Sequence, residues 1–289
     1  MSGEPRGAQR VILAGHPFDA QVLDLAAAGK GQDRLLVSDD FIGVADGATP
    51  LVGAARPMAD PGPFAARVLA GLRNASDEAL EVALGRVIDH ERDGAADDPQ
   101  GRSNVSCTVA VVRGYRGNLE AAVLGDCEVV VLGARRVRVV SDARLRRLDR
   151  LAVDDLRRRL RTGAEPSVAR RSILPLLRQH RESMNQQGTY WVVGQEPEAA
   201  RHLRRGRFSI AETRAILVAS DGFFRLVDVF RVYPSRAALL AAALARGLEE
   251  LGERLRSLER SPGSARTYPR FSDEDDATAV LLQPVGITG

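Results

Sequence analysis

The chain has 289 residues, 44% of them hydrophobic, which is enough to bury one sizeable core without requiring a second domain. Its 41 basic residues nearly balance 38 acidic ones, for a formal net charge of +3, and only 4% of residues are aromatic. Scattered positive charge without aromatic stacking platforms argues against nucleic-acid binding, and the lack of a long apolar run or secretory pattern argues against membrane passage and export.

Lys30 is the only lysine, so the basic character is almost wholly arginine, as a genomic base-composition bias would produce. The two cysteines, Cys107 and Cys127, lie in apolar strand-like runs, and a reduced, cytoplasmic setting is expected.

Residues 1–10 read as a polar tail and residues 11–285 as one domain. After the apolar stretch Val11 to Ala14, two runs, Leu35 to Val37 and Phe41 to Ala45, are joined by Asp39-Asp40. This pattern predicts a hairpin whose second strand ends in Asp46-Gly47. Helical spacing runs from Phe64 to Arg92 with an interruption at Asn74 to Asp77, where Ser76 is placed to cap a second helix.

A polar loop, Asp93 to Ser103, leads into Val105 to Val112, Leu119 to Leu124, Glu128 to Leu132 and Val137 to Val140. Short Gly-containing turns between these runs predict an antiparallel meander. Residues 144–183 are Arg-rich and helical in pattern, with breaks at Pro166 and Pro175. Further strands are predicted at Tyr190 to Val193, Ala215 to Ala219 and Ala277 to Leu282, with a long amphipathic helix at about Ser235 to Leu258. Strands and helices in blocks favour a layered α+β sandwich over a doubly wound parallel sheet.

Five aspartates stand out by context. Asp33 precedes a strand, Asp46 and Asp221 end apolar runs before glycine, Asp126 lies between strands, and Asp275 precedes the last one. Carboxylates at strand ends can converge on one edge of a core, and hard cations such as Mg²⁺ and Mn²⁺ take oxygen ligands. A glycine after the aspartate permits close backbone approach or a positive φ. Asp-Gly is also a common turn pair, and Asp93-Gly94, in a polar loop, reads as only that.

Taken in order, these segments resemble the PPM family, the metal-dependent type 2C protein phosphatases. The matching residues are Asp33 in Gly31-Gln32-Asp33-Arg34, the strand Phe41 to Ala45 ending in Asp46-Gly47, and the small-residue strand start Ser106-Cys107-Thr108. Gly125-Asp126-Cys127, Ala219-Ser220-Asp221-Gly222 and Asp275-Asp276-Ala277-Thr278 complete the set, which spans about residues 30–283.

The resemblance implies a four-layer α-β-β-α sandwich of two antiparallel sheets flanked by helices. It also implies hydrolysis of phosphoserine and phosphothreonine on proteins by water activated by two Mn²⁺ or Mg²⁺ ions. Asp46, the Gly47 carbonyl, Asp221 and Asp275 would hold the ions, and Asp33 would orient water or the leaving group. Asp126 would hold its turn. The implied partner is a phosphorylated protein, opposing a serine/threonine kinase, with no nucleic acid and no membrane span.

Three departures qualify the match. Ala28 stands where the family carries a phosphate-binding arginine, leaving Lys30 as the nearest cation. The usual Asp-Gly-His-Gly-Gly is Asp46-Gly47-Ala48-Thr49-Pro50. Asp142 is the candidate for a third ion, but Arg225 replaces the acid that usually assists it. These departures keep a second reading open, a pseudophosphatase that serves as a binding or regulatory module.

The remaining candidates are weaker. The four histidines show no zinc-ligand spacing. Cys127, lacking a base motif, reads as a packing residue rather than a nucleophile. Residues 144–183 fall where the family carries a flap beside the active site; its arginines either select acidic surfaces or form a solvated face.

Overall fold

The computed structural model describes residues 9–27, 31–48, 60–75, 77–96 and 105–286. Ala28, Lys30, Thr49, Pro50, Ser76, most of the tail and residues 97–103 lie outside them, whereas Asp93-Gly94, expected as a turn in a polar loop, is helical. Eleven strands are described: β1 Gln9–Leu13, β2 His16–Leu25, β3 Arg34–Ser38, β4 Phe41–Gly47, β5 Cys107–Tyr115, β6 Asn118–Leu124, β7 Glu128–Gly133, β8 Val137–Val140, β9 Arg204–Phe208, β10 Thr213–Ala219 and β11 Ala277–Pro284. The helices are α1 Pro61–Arg73, α2 Leu80–Ala96, α3 Ala143–Arg161, α4 Pro166–Glu182, α5 Asp221–Asp228, α6 Arg236–Arg246, α7 Leu248–Arg260 and the short α8 Ser264–Thr267.

Two antiparallel sheets stack face to face, one ordered β1-β2-β11-β10-β7-β8 and the other β3-β4-β5-β6-β9. Alternate strand residues fill the layer between them: Ile42 and Val44, Ala110 and Val112, Ile216 and Val218, Val280 and Leu282. The opposite parity faces outward. Phe64, Leu69, Leu84 and Ile88 of α1 and α2 cover Val109 and Val111, while Phe223, Leu239 and Leu251 of α5, α6 and α7 cover Leu217 and Leu281. The outcome is the expected four-layer α-β-β-α sandwich. Each large apolar side chain so buried contributes about 1.5–3 kcal/mol.

The predicted meander is corrected. β5 and β6 pair in one sheet, whereas β7 and β8 pair in the other, so the chain changes sheets at Gly125-Asp126-Cys127. β2 was not foreseen, and neither was β9, whose arginines hide an edge strand. Tyr190 to Val193 forms no strand but a single bridge between Val193 and Cys107. The long helix predicted from Ser235 breaks at Gly247, whose φ of 85° ends α6 and starts α7 at a new angle. α3 and α4 pack on each other through Leu156, Leu160, Ala169 and Ile173.

Candidate functional site

Strand parity carries Asp46 and two threonines to one end of the inter-sheet layer. On β4 the inward face runs Ile42, Val44 and then Asp46; on β5 it runs back from Ala110 to Thr108; on β11 from Val280 to Thr278. The apolar inter-sheet layer therefore ends in a polar rim on several strands at once. There Thr108 Oγ1 lies 3.2 Å from Cys127 Sγ, and the Thr278 N–H donates to Ser220 Oγ at 3.0 Å. Cys127 is fully buried, and burial followed by the charges of Asp46 and Asp126 pushes its thiol well up. That state suits packing rather than nucleophilic attack.

Seven acids feel one another at this rim. Burial, and then the charges of Asp33, Asp221, Asp126 and Asp275, push the Asp46 carboxyl well above the ordinary carboxylate range. Burial pushes Asp33 up to about 8, the nearby Ser220 hydroxyl offsets part of this, and the charges of Asp276 and Asp221 add to it. Asp126, raised by burial and by Asp149, and Asp221, raised by burial and by Asp126, both reach about 6. Asp275 also reaches about 6 through burial, with Arg225 opposing. Asp149 is pushed to about 7 by burial and then by Asp221.

Asp33 is the least exposed to water of these acids. Its residue is 5% accessible, and neither carboxylate oxygen has a partner in hydrogen-bonding geometry. Ser220 Oγ faces the β11 backbone and Thr278 Oγ1 reaches Asp24 at 3.4 Å, so these hydroxyls compensate it only in part. A buried carboxylate left this way costs free energy unless something absent from the protein pairs with it.

Asp276 has a different task from its neighbour. Its carboxylate accepts the backbone N–H groups of Ala27 at 2.7 Å, of Asp33 at 3.2 Å and of Gln32, and so holds the segment that presents Asp33. The glycines after Asp46 and Asp221 answer to packing. Neither has a positive φ. A Cβ on Gly47 would lie 2.8 Å from the Gln32 carbonyl oxygen, and one on Gly222 would lie 1.8 Å from that of Asp276.

Arg225, one turn into α5 after Asp221, turns inward. Its guanidinium donates to Asp275, to Ser272 Oγ at 2.8 Å and to Glu259 Oε1 at 3.0 Å.

No family model matches the sequence, and no curated protein matches it significantly. Solved structures do match the fold. A bacterial serine phosphatase superposes with a TM-score of 0.56 at 13% identity, over 93% of this chain and 99% of that one. The serine/threonine phosphatase Stp1 from Staphylococcus aureus gives 0.54 at 15% identity, over 93% and 95%. The PPM Ser-Thr phosphatase MsPP from Mycobacterium smegmatis, solved in complex with cacodylate, gives 0.50 at 17% identity, over 91% and 97%. The chain has the PPM phosphatase fold.

Within this PPM fold, Asp33, Asp46, Asp126, Asp221 and Asp275 converge. Asp142 goes elsewhere: it caps α3 by accepting the Arg144 N–H at 3.0 Å, is held by the Arg144 guanidinium, and acts electrostatically on His202. Lys30 lies outside the described residues. Two contributors escaped sequence reasoning. Asp149 is the only acid between Ala143 and Val153, and that isolation in an arginine-rich helix was the available signal. Asp276 was masked by its neighbour Asp275.

The donor set fits a hard divalent cation in chemistry. Several oxygen donors crowd together, and Asp33 brings two unpartnered, buried oxygens. Among the described residues, no three or more His, Cys, Asp or Glu side chains are grouped so that they could hold a metal ion as they stand.

Proposed function

We propose that this chain is a metal-dependent phosphatase that hydrolyses phosphoserine and phosphothreonine on proteins, opposing a serine/threonine kinase. The observation that supports it best is the cluster of mutually raised carboxyls at one end of the inter-sheet layer, in which Asp46 is pressed by four other carboxylates and Asp33 is buried. Mn²⁺ or Mg²⁺ would be held by Asp46, the Gly47 carbonyl and Asp221, with Asp275 as the remaining acid of the set. Bound there, such ions would lower the pKa of water to make a nucleophile and would neutralise phosphoryl charge.

The protein's own groups then have distinct tasks. Asp33, whose carboxyl burial raises to about 8 in the metal-free protein, would orient water or the departing seryl or threonyl oxygen. Asp126 shapes the sheet-to-sheet turn and adds negative charge. Asp276 keeps Asp33 in register with Asp46. Lys30 is proposed as a point charge for phosphate, and its Ala variant should raise KM.

The test is p-nitrophenyl phosphate hydrolysis with and without Mn²⁺, comparing the wild type with Asp221→Asn. Mn²⁺-dependent turnover that the variant lacks supports the reading; no turnover and no bound metal in either protein overturns it. The Arg225–Asp275 pair favours a second reading, a catalytically weak binding module. That reading predicts phosphopeptide binding without release of phosphate.

A further inference from the structure

Asp275 differs from Asp46 and Asp221 in one respect: among the described residues, it is the one of the three that forms an ion pair. Its partner Arg225 has a side chain only 8% exposed, against 35% for Asp275. The guanidinium is fixed at both ends of its fork. Nη1 is held by Glu259, whose side chain is fully buried, and Nη2 is shared between Asp275 and Ser272. Glu259 is itself braced by Arg256, which also donates to the Leu25 carbonyl at 2.9 Å. Arg270 donates to the Glu259 carbonyl at 3.1 Å and to that of Asp273 at 3.0 Å, closing the network around the segment before β11.

We propose that Arg225 is a built-in cation that takes the place of one divalent ion, so that the chain binds a single Mn²⁺ or Mg²⁺, at Asp46 and Asp221. The inference rests on reading Asp46, Asp221 and Asp275 as the ion-holding set. A dication drawn to Asp275 meets a fixed positive charge already on that carboxylate, and like charges at such separation repel strongly where water is scarce. Displacing the guanidinium would strip Glu259 of one of its two arginines and leave Ser272 without its donor. Removing one member of a buried pair is costly because it leaves the other charge uncompensated. A second ion would have to overcome both penalties; the same guanidinium also acts on Asp221 through its charge, but among the described residues it forms an ion pair with Asp275 and with neither Asp46 nor Asp221. The planar guanidinium also supplies a single charge without exchangeable waters, so it balances Asp275 but cannot deliver a nucleophile.

The experiment counts ions rather than turnover: equilibrium dialysis against Mn²⁺ with metal analysis of the purified full chain, alongside circular dichroism. The wild type is expected to hold one Mn²⁺ per chain and Arg225→Gln two. Two ions on the wild type would overturn the inference and leave the metal-centre reading intact. No ion on either protein would overturn both. One ion on each, with both folded, would overturn the role given to Arg225. If Arg225→Gln does not fold, Asp275→Asn decides: an unchanged ion count and affinity supports the inference, and affinity weakened tenfold or more overturns it.

Discussion

The Asp276 carboxylate accepts the backbone N–H of Asp33 at 3.2 Å across 243 residues of sequence, so the approach to the last strand sets where the buried acid of the first hairpin stands. The same carboxylate takes the Ala27 and Gln32 N–H groups, and charge-assisted bonds of this kind contribute about 1.5–3 kcal/mol. Asp276→Ala is expected to lower stability by about 2 kcal/mol, or roughly 4–8 °C in melting temperature. Because it also loosens Asp33, it should lower kcat more than it raises KM. Differential scanning calorimetry with steady-state kinetics checks both.

The metal-free protein should be most stable in mild acid. Asp33, Asp126, Asp149, Asp221 and Asp275 all have folded pKa values raised above the ordinary carboxylate value, to between about 6 and about 8. The folded state thus binds more protons than the unfolded one, and stability falls as pH rises through this window. Thermal melts in chelator should decline from about pH 5 to about pH 8. Added Mn²⁺ should flatten the curve by supplying the missing positive charge. A chelated protein that gains stability over that range would contradict the assigned electrostatics.

Asp46→Asn removes the carboxylate pressed by four others. It should raise the melting temperature of the metal-free protein at pH 8 while lowering Mn²⁺-dependent phosphatase activity by about 10²- to 10³-fold. Opposite signs in the two readouts are the mark of a site whose repulsion is kept for function.

Gly222→Ala places a methyl group 1.8 Å from the Asp276 carbonyl oxygen. The backbone on one side or the other must shift, at about 1–3 kcal/mol. The loss should appear in chemical denaturation as a lower midpoint at an unchanged slope.

The layered fold was legible from the apolar runs, and Asp46 because it ends one that strand parity points inward; Asp221 and Asp275 showed only as acids flanking the runs of β10 and β11. The sheet change at Gly125-Asp126-Cys127 was not, since a corner between sheets and a turn within one share the same short Gly-containing signature. β2 escaped because its inward residues run Phe18, Ala20 and then Leu23 on the other face, so the period-two pattern breaks midway. Asp149 was hidden by helical arginines whose own pattern reads as solvated surface. The tie of Arg225 to Asp275 joins positions 50 apart in sequence and depends on the fold alone.

The most direct test of the central claim is phosphate release from a phosphothreonine peptide by the purified chain in Mn²⁺, repeated in chelator and with Asp221→Asn. The account predicts release in Mn²⁺ that falls to background in both controls. Release that persists in chelator or in the variant, or no release in Mn²⁺ from a protein that binds the ion, would contradict it.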